Sequence, residues 1–267
     1  MITTGDVTVR GVRIAYDRAG AGPPLVLMHG IGANASAWRT QLDGLSDAFD
    51  VIAWDAPGYG RSSDPPRDWP MAEYAEYLAG FLDGLEIREA HLLGQSWGGV
   101  LAQEFYRNHA DRVASLILSD TTLGGDVTRD DGETRLQARL RALETMTPTA
   151  YARARAPQLL APGPPADLLR EVEAMVAQIH PVGFRSAAIA LAHADVRAVL
   201  PRIRVPTLVL CGEQDQVTSP ALGARLIGEI PNARTIIFPG VGHLNNMEQP
   251  DHYNATVRAF LETIVIA

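Results

Sequence analysis

The sequence has few of the features that mark secreted, membrane-embedded or disulfide-stabilised proteins. It contains one cysteine, Cys211, so no intramolecular disulfide can form and a reducing compartment is expected. Because Cys211 lies within an apolar run, we interpret it as an inert core thiol. Residues 1–10 show no basic segment followed by an apolar stretch, and no apolar run approaches the roughly 20 residues that span a bilayer. These absences favour a cytoplasmic protein.

An excess of positive charge is also missing. The chain has 23 Lys and Arg against 31 Asp and Glu, a formal net charge of −8, which argues against nucleic acid as a partner. Hydrophobic residues make up 46% of its 267 residues, enough to fill the core of one large α/β domain. We expect a small-molecule substrate and no membrane or nucleic-acid partner, with monomer and homodimer both open.

Short apolar runs alternate with helix-compatible segments through the first 121 residues and resume after residue 200. Such runs are typical of the doubly buried parallel strands of α/β proteins. A segment of mixed polarity, Val7 to Tyr16, comes first and predicts an antiparallel edge hairpin that turns near Gly11. The predicted buried strands are Leu25–Met28, Val51–Trp54, Ala90–Leu93, Ser115–Leu118, Thr207–Cys211 and Thr235–Phe238.

The pattern changes between residues 122 and 199, where no strand is predicted. Amphipathic stretches there predict three helices, Glu133–Met146, Ala166–Ile179 and Pro181–His193. We therefore expect a core in two parts, residues 1–121 and 200–267, with a helical insertion over residues 122–199.

The pentapeptide Gly94-Gln95-Ser96-Trp97-Gly98 joins a predicted strand to a helix-compatible run. A serine in a sharp turn between a strand and a helix is the setting of a nucleophile elbow. The flanking glycines lack Cβ atoms, so strand and helix can pack closely around the serine. The motif alone is weak, and its context makes Ser96 the predicted nucleophile.

A serine nucleophile needs a base and an acid that orients the base. His243 follows the predicted strand that ends at Phe238, and Asp215 follows the one that ends at Cys211. All three groups then leave strands at the carboxyl edge of one sheet, where ligands bind in α/β folds. Asp120 competes for the role of acid because it also follows a strand, although beside Thr121 it is more simply interpreted as hydrogen-bonding its own turn.

An oxyanion hole is the remaining requirement. His29-Gly30-Ile31-Gly32 follows the strand Leu25–Met28, and its glycines let the main chain bend toward the site. One backbone N–H donor is expected from the residue after the nucleophile, Trp97, and the other from Ile31. We interpret His29 as fixing this loop.

Taken together, these motifs resemble those of the α/β-hydrolases over nearly the whole chain. The oxyanion loop with Trp38, the segment from Asp55 to Ser62 (DAPGYGRS, a D-x-P-G-x-G-x-S signature), and the blocks around Asp215 and His243 occur in the family's order. Within the family, the segments 242–250 and 194–197 look most similar to 3-oxoadipate enol-lactonases and related carboxylesterases. The resemblance implies a mostly parallel eight-stranded sheet flanked by helices, with a helical cap inserted after strand 6.

The resemblance also implies hydrolysis of a small ester or lactone through an acyl-enzyme, without metal or organic cofactor. Trp38, Phe184 and His193 are candidate substrate contacts, and insertion arginines such as Arg185 are candidates for binding a substrate carboxylate. Hydrolysis of a C–C bond in a vinylogous diketone is the second reading, although those enzymes often carry an aromatic residue where this chain has Leu244. Amide or peroxyacid chemistry and a non-turnover ligand-binding protein stay open.

Overall fold

The core of the molecule is a single sheet with two antiparallel strands at one edge and six mutually parallel ones. A computed structural model describes residues 1–125 and 129–264, and side chains outside 129–131 within those ranges. The strands are β1 (Thr3–Val9), β2 (Val12–Ala19), β3 (Pro24–Met28), β4 (Asp50–Trp54), β5 (Ala90–Gln95), β6 (Val113–Ser119), β7 (Thr207–Gly212) and β8 (Arg234–Phe238). Their order is β1-β2-β4-β3-β5-β6-β7-β8, with β2 antiparallel to both β1 and β4.

Helices cover both faces of this sheet. They are α1 (Arg39–Leu45), α2 (Met71–Gly84), α3 (Trp97–Asn108), α4 (Arg129–Thr145), α5 (Pro148–Arg155), α6 (Ala166–Val176), α7 (Pro181–His193), α8 (Pro220–Glu229), α9 (Asn245–Glu248) and α10 (Pro250–Leu261). None of these described helices has the length and apolarity needed to cross a membrane. The eight-stranded, mostly parallel sheet with flanking helices confirms the predicted fold class.

Neighbouring residues of the central strands point into different cores. On β3, Val26 packs in the core under α2 and α3, while Leu27 packs in the core under α1 and α10. Every residue of β4, β5 and β6 is buried. A strand buried on both faces needs apolar residues at successive positions, which is why these strands read as continuous apolar runs.

The predicted hairpin is confirmed, whereas the prediction of a buried last strand is wrong. Val9 pairs with Val12 across a two-residue turn in which Arg10 and Gly11 both have positive φ, the geometry that matches strand twist. By contrast, β8 is the edge strand: residues 234–237 are exposed, Ile237 to 52%, and only Phe238 is buried. An edge strand has one neighbour and less helix cover, which an apolar run does not reveal.

Four of the described helices, α4 to α7, lie between β6 and β7. Helix α7 has the predicted bounds, whereas α4 begins before Glu133 and α6 ends at Val176, short of the predicted Ile179. The prediction omitted α5, although its start is marked in the sequence. Thr147 caps it by accepting from Ala150 N–H, and Pro148 occupies the first helical position.

Candidate active site

Ser96 occupies a strained turn between β5 and α3. Its backbone has φ +54° and ψ −113°, a region that residues other than glycine rarely adopt. A Cβ on Gly94 would lie 2.3 Å from the Gly98 carbonyl oxygen, and one on Gly98 would lie 2.2 Å from the Met28 oxygen. Strand, helix and β3 therefore approach so closely that only glycine fits at both positions, which gives the G-x-S-x-G spacing a steric cause.

His243 and Asp215 lie side by side after β8 and β7. Their Nδ1 and Oδ2 atoms are 2.8 Å apart, and both side chains are almost completely buried. The other carboxylate oxygen of Asp215 accepts the backbone N–H groups of Val217 and Thr218 at 2.7 and 3.0 Å. The Thr218 hydroxyl lies 2.5 Å from Oδ2. This carboxylate is therefore held from several directions beside the imidazole.

The surroundings of Asp215 favour its ionised form. Burial by itself raises the pKa of this carboxyl, but the charge and hydrogen bond of His243 and the donors of Thr218 outweigh burial and leave the pKa below its ordinary value. A carboxylate that accepts from Nδ1–H fixes the tautomer in which Nε2 of His243 carries the free lone pair.

Main-chain hydrogen bonds hold the loop that carries His243. The His243 N–H donates to the Leu159 carbonyl oxygen at 3.0 Å, and the Gln95 side chain donates to the His243 oxygen at 3.0 Å. Glu248 accepts from the N–H groups of both Gly242 and Ala161 at 2.8 Å. The loop is thus tied both to the end of β5 and to the segment between α5 and α6.

Asp120 is built into the sheet rather than paired with the histidine. Its Oδ1 accepts the Gly212 N–H at 2.7 Å, and its own N–H donates to Leu210, so it joins the ends of β6 and β7. Its Oδ2 also accepts from the hydroxyl of the adjacent Ser119 at 3.2 Å, so the expected local hydrogen bond is present beside the bond to β7. Burial, and then the charge of Asp215, raises the pKa of Asp120 well above its usual range.

The loop after β3 lies against the nucleophile turn. A Cβ on Gly30 would lie 3.2 Å from Ser96 Cβ, which measures how closely the two loops approach. Within the described residues, neither Ile31 N–H nor Trp97 N–H donates a hydrogen bond. His29 Nε2 accepts from Ala56 N–H, so its Nδ1–H donates to Gly30 O at 2.9 Å, as the interpretation of His29 as a loop-fixing residue requires.

A cavity of about 250 Å³ opens above Ser96 and Trp97. One side of it is formed by helices between β6 and β7, with Arg135 and Arg139 of α4 and Leu191 and Ala192 of α7. The segment after β7 forms another side, with residues such as Val217, Leu222 and Arg225. The sequence analysis did not identify the two α4 arginines. The only available signal was the high arginine content of α4, and this helix has too weak an apolar stripe to show which side faces the core.

Trp38, Phe184 and His193, the predicted substrate contacts, do not line the cavity above Ser96. Trp38 is buried against Tyr253 in the core beneath α1 and α10. Phe184 is buried with its ring 5.3 Å from that of Tyr151 and close to Gly32, so it packs the inserted helices onto the loop after β3. His193 is exposed in a surface groove beside Asp68, because it follows the cavity-facing Ala192 by about 100° of helix rotation.

Arg185 and Cys211 are also placed by the structure. Arg185 pairs with Asp68 at 2.9 Å on the surface and does not line the Ser96 cavity. Cys211 is buried, and burial followed by the nearby Asp120 and Asp215 raises its pKa to about 12. A thiol with so high a pKa stays protonated at neutral pH, as expected of an inert core residue.

Comparison with known proteins identifies the family. The family model for the alpha/beta hydrolase fold matches residues 23–250, and the chain belongs to this family. It is 31% identical over 262 residues to 3-oxoadipate enol-lactonase 2 of Acinetobacter baylyi, covering 96% of each chain. Its structure resembles a thermophilic esterase from Thermogutta terrifontis (TM-score 0.90, 29% identity, 98% of both chains). It also resembles the enol-lactonase from Burkholderia xenovorans (TM-score 0.87, 27% identity, 97% and 100% of the two chains).

Proposed function

We propose that this chain is a serine hydrolase that cleaves a carboxylic ester or an (enol-)lactone of a small organic substrate. The observation that carries the proposal is the buried 2.8 Å contact between His243 and Asp215, on the sheet edge where Ser96 sits in its strained turn. The relatives named above as enol-lactonase and esterase support the same reaction class.

In the proposed mechanism, His243 Nε2 takes the Ser96 hydroxyl proton while Oγ attacks the substrate carbonyl carbon. Asp215 keeps the proton on Nδ1 and stabilises the imidazolium that forms. The tetrahedral intermediate then collapses, and the leaving alkoxide or enolate takes the proton from Nε2. Water, deprotonated by His243, attacks the acyl-enzyme and releases the acid, which restores Ser96.

The backbone N–H groups of Ile31 and Trp97 stabilise the oxyanion in this proposal. Both lack an acceptor among the described residues, and they belong to the two loops that meet at Ser96. Unpaired donors fixed by the fold lower the barrier because they need no reorganisation when charge develops on the carbonyl oxygen.

The nucleophile is tested by Ser96→Ala. We expect kcat for p-nitrophenyl acetate to fall by roughly 10⁴-fold with the melting temperature retained, because the covalent route is lost and the fold is not. A fluorophosphonate probe should label the wild type at Ser96 and leave the variant unlabelled. Labelling of another serine in an active preparation would contradict the assignment. If the wild type released a single burst of p-nitrophenol without further turnover, it would be a ligand-binding protein instead.

A substrate panel separates the reactions that this arrangement of groups supports. Turnover of simple esters or enol-lactones at higher kcat/KM than ring-fission dienoates is the expected result. A preference for the dienoates would replace the proposal with C–C bond hydrolysis.

A further inference from the structure

Strand β8 ends the sheet with an apolar edge. It pairs with β7 on one side and with no described strand on the other. Four large hydrophobic side chains of the described residues are exposed, and two of them, Ile236 at 37% and Ile237 at 52%, are neighbours on this strand. Successive side chains of a strand point to opposite faces of the sheet, so this edge exposes apolar surface on both faces.

The backbone of the same edge has free hydrogen-bonding groups. In a parallel pair, alternate residues of a strand direct their N–H and C=O groups toward the partner strand. The Phe238 carbonyl oxygen accepts the Glu213 N–H from the β7 side. The alternation along β8 then turns the N–H and C=O groups of Thr235 and Ile237 outward. These outward groups have no partner within the part of the chain that the structure describes.

The features that usually protect an edge strand from pairing are missing in β8. Protected edges carry a proline, a β-bulge or a charged residue in the middle of the strand. Residues 234–238 contain no proline, and their register with β7 is unbroken. Their one charged residue, Arg234, lies at the start of the strand. The edge is therefore open to pairing with another strand.

One register allows two copies of β8 to use all of these groups. With a two-fold axis at Ile236 and antiparallel strands, Thr235 of each copy exchanges both hydrogen bonds with Ile237 of the other. An axis at Ile237 would place Thr235 opposite Pro239, which has no N–H. An axis at Thr235 would place Ile237 opposite Ala233, whose N–H already donates within its own turn. The axis at Ile236 is thus the one that satisfies every outward donor.

The exposed apolar side chains are also covered in this register. Ile236 lies directly opposite its symmetry mate, in the class of antiparallel pair that brings Cα atoms to about 4.5 Å and side chains into contact. On the other face, Ile237 lies beside Thr235 of the second copy, and pairs of β-branched residues stabilise a sheet.

Opposite charges meet at both ends of this pairing. Arg234 of one copy lies opposite Phe238 of the other. Glu213 lies beside that end of β8, because its N–H donates to Phe238 and its carboxylate accepts the Gly240 N–H at 2.8 Å. Arg234 and Glu213 are exposed, and neither forms an ion pair within the described residues. Antiparallel pairing brings these opposite charges close, whereas parallel pairing would place Arg234 beside Arg234.

We propose that the protein is a homodimer in which β8 pairs antiparallel with β8 of a second copy, so that the two sheets form one continuous sheet. The partner is another molecule of this chain because the edge is complementary to itself in hydrogen bonds, apolar contacts and charge. The proposal does not depend on the reaction proposed above, since none of the interface residues belongs to the catalytic groups. One strand pair makes a small interface, so we expect a dissociation constant of about 1–100 μM.

The register is tested by cysteine crosslinking. A disulfide needs Cα atoms about 4.4–6.8 Å apart, which the two Ile236 positions satisfy in this pairing. Under mild oxidation, Ile236→Cys should form a covalent dimer at least ten times faster than Ile237→Cys. Ile237 is the more exposed position, but its symmetry mate would lie about 8 Å away. Cys211 is buried, so the wild type should not crosslink. Equal rates for the two variants would contradict the register.

Exchange of charge tests the ends of the interface. Sedimentation velocity of the wild type from about 1 to 200 μM should show a dimer that dissociates on dilution. Arg234→Glu and Glu213→Arg should each raise the dissociation constant at least tenfold through repulsion of like charges, and the double variant should restore it.

The control for these variants is Val182→Lys, at an exposed apolar position of α7, which should dimerise as the wild type does. Unchanged melting temperatures would confirm that all variants are folded. A wild type that stays monomeric over the whole range, as it would if β8 paired with a different protein or with nothing, would overturn the proposal. A dimer that neither single charge variant weakens would also overturn it.

Discussion

Two buried carboxyl groups, one after β6 and one after β7, differ in what surrounds them. Asp215 accepts hydrogen bonds from Thr218 and His243, which lower its pKa, whereas Asp120 is completely buried and its pKa is raised. The environment of Asp215 beside the imidazole therefore favours its ionised form, whereas burial between two strand ends favours the neutral form of Asp120. Environment, not residue type, separates their roles.

The pair Asp215→Asn and Asp120→Asn tests this division. Loss of the carboxylate that orients His243 leaves the imidazole in the wrong tautomer, so Asp215→Asn should lower kcat by about 10³- to 10⁴-fold. Asp120→Asn retains an oxygen for Gly212 N–H, and its kcat should stay within about tenfold of wild type. Steady-state kcat values for one ester distinguish the two carboxyl groups. A larger loss of kcat in Asp120→Asn than in Asp215→Asn would assign the orienting acid to Asp120.

His91 is the residue for which we predict a pH-dependent stability. It is buried on β5, its Nδ1 lies 2.8 Å from Ser115 Oγ, and its Nε2 has no partner among the described residues. Burial lowers its pKa from 6.5 to about 4. Between these values the unfolded chain binds a proton that the folded chain does not, so stability falls as pH falls from 6.5 to 4, by up to about 3 kcal/mol in total.

Substitution of His91 by Gln removes this proton linkage. Urea unfolding of both proteins across the interval should show the wild type losing more stability than His91→Gln, although Gln costs some packing at every pH. If the free energy of unfolding changed with pH equally in the two proteins, His91 would not contribute to the pH dependence of stability.

At the scale of elements, helix α7 touches the loop after β4 through two glycines. A Cβ on Gly183 would lie 2.0 Å from the Gly58 carbonyl oxygen, which is backbone and cannot move aside. Nearby, Ser186 Oγ of α7 accepts the Trp69 N–H at 3.0 Å. This contact sets how closely α7, with its cavity-lining Leu191 and Ala192, approaches the sheet edge.

Gly183→Ala should therefore displace α7. We expect a loss of about 1–3 kcal/mol in the free energy of unfolding and a raised KM, because one wall of the Ser96 cavity shifts. Gly228→Ala is the matched control: Gly228 is also helical and has open space around it, so its substitution should stabilise by roughly 0.5–1 kcal/mol. Equal stabilities of the two variants would contradict the close approach.

At the scale of the whole molecule, the inserted helices share the hydrophobic cores of the sheet. Ala187 and Ala190 of α7 belong to the core under α2 and α3, and Val172 and Met175 of α6 belong to the one under α1 and α10. If the inserted helices unfolded alone, apolar surface of the sheet and its flanking helices would be exposed to water. We therefore expect the insertion and the sheet to unfold together.

The distribution of tryptophan makes this expectation measurable. All four tryptophans, Trp38, Trp54, Trp69 and Trp97, lie outside the insertion. Their fluorescence therefore reports on the sheet and on its contacts with the insertion, whereas far-UV circular dichroism also reports on the helices α4 to α7 themselves. Urea transitions followed by the two signals should coincide. A circular dichroism transition at lower urea than the fluorescence transition would show that the insertion unfolds as a separate unit.

Features that depend on neighbours in the chain could be predicted from the sequence. The central parallel strands are apolar at successive positions because they are buried on both faces, and the hairpin turn is marked by Gly11. The glycines around Ser96 are required because β5, α3 and β3 approach closely there, so the local motif predicts the sharp turn. Asp215 and His243 could be placed at one sheet edge because parallel strands end there. The bounds of α7 could be predicted because its first proline and its apolar periodicity are local features of the sequence.

Only the tertiary structure decided which side chains meet across elements. Arg135, Arg139 and Arg155 line one cavity because of the way in which α4 and α5 pack. For the same reason Arg185 and His193 face the surface, and Asp120 reaches Gly212 of the next strand as well as the adjacent Ser119. The sequence determined the turn of Ser96 and the strand ends that carry Asp215 and His243 through short-range steric rules, while the lining of the cavity above Ser96 arose from helix packing that no local pattern encodes.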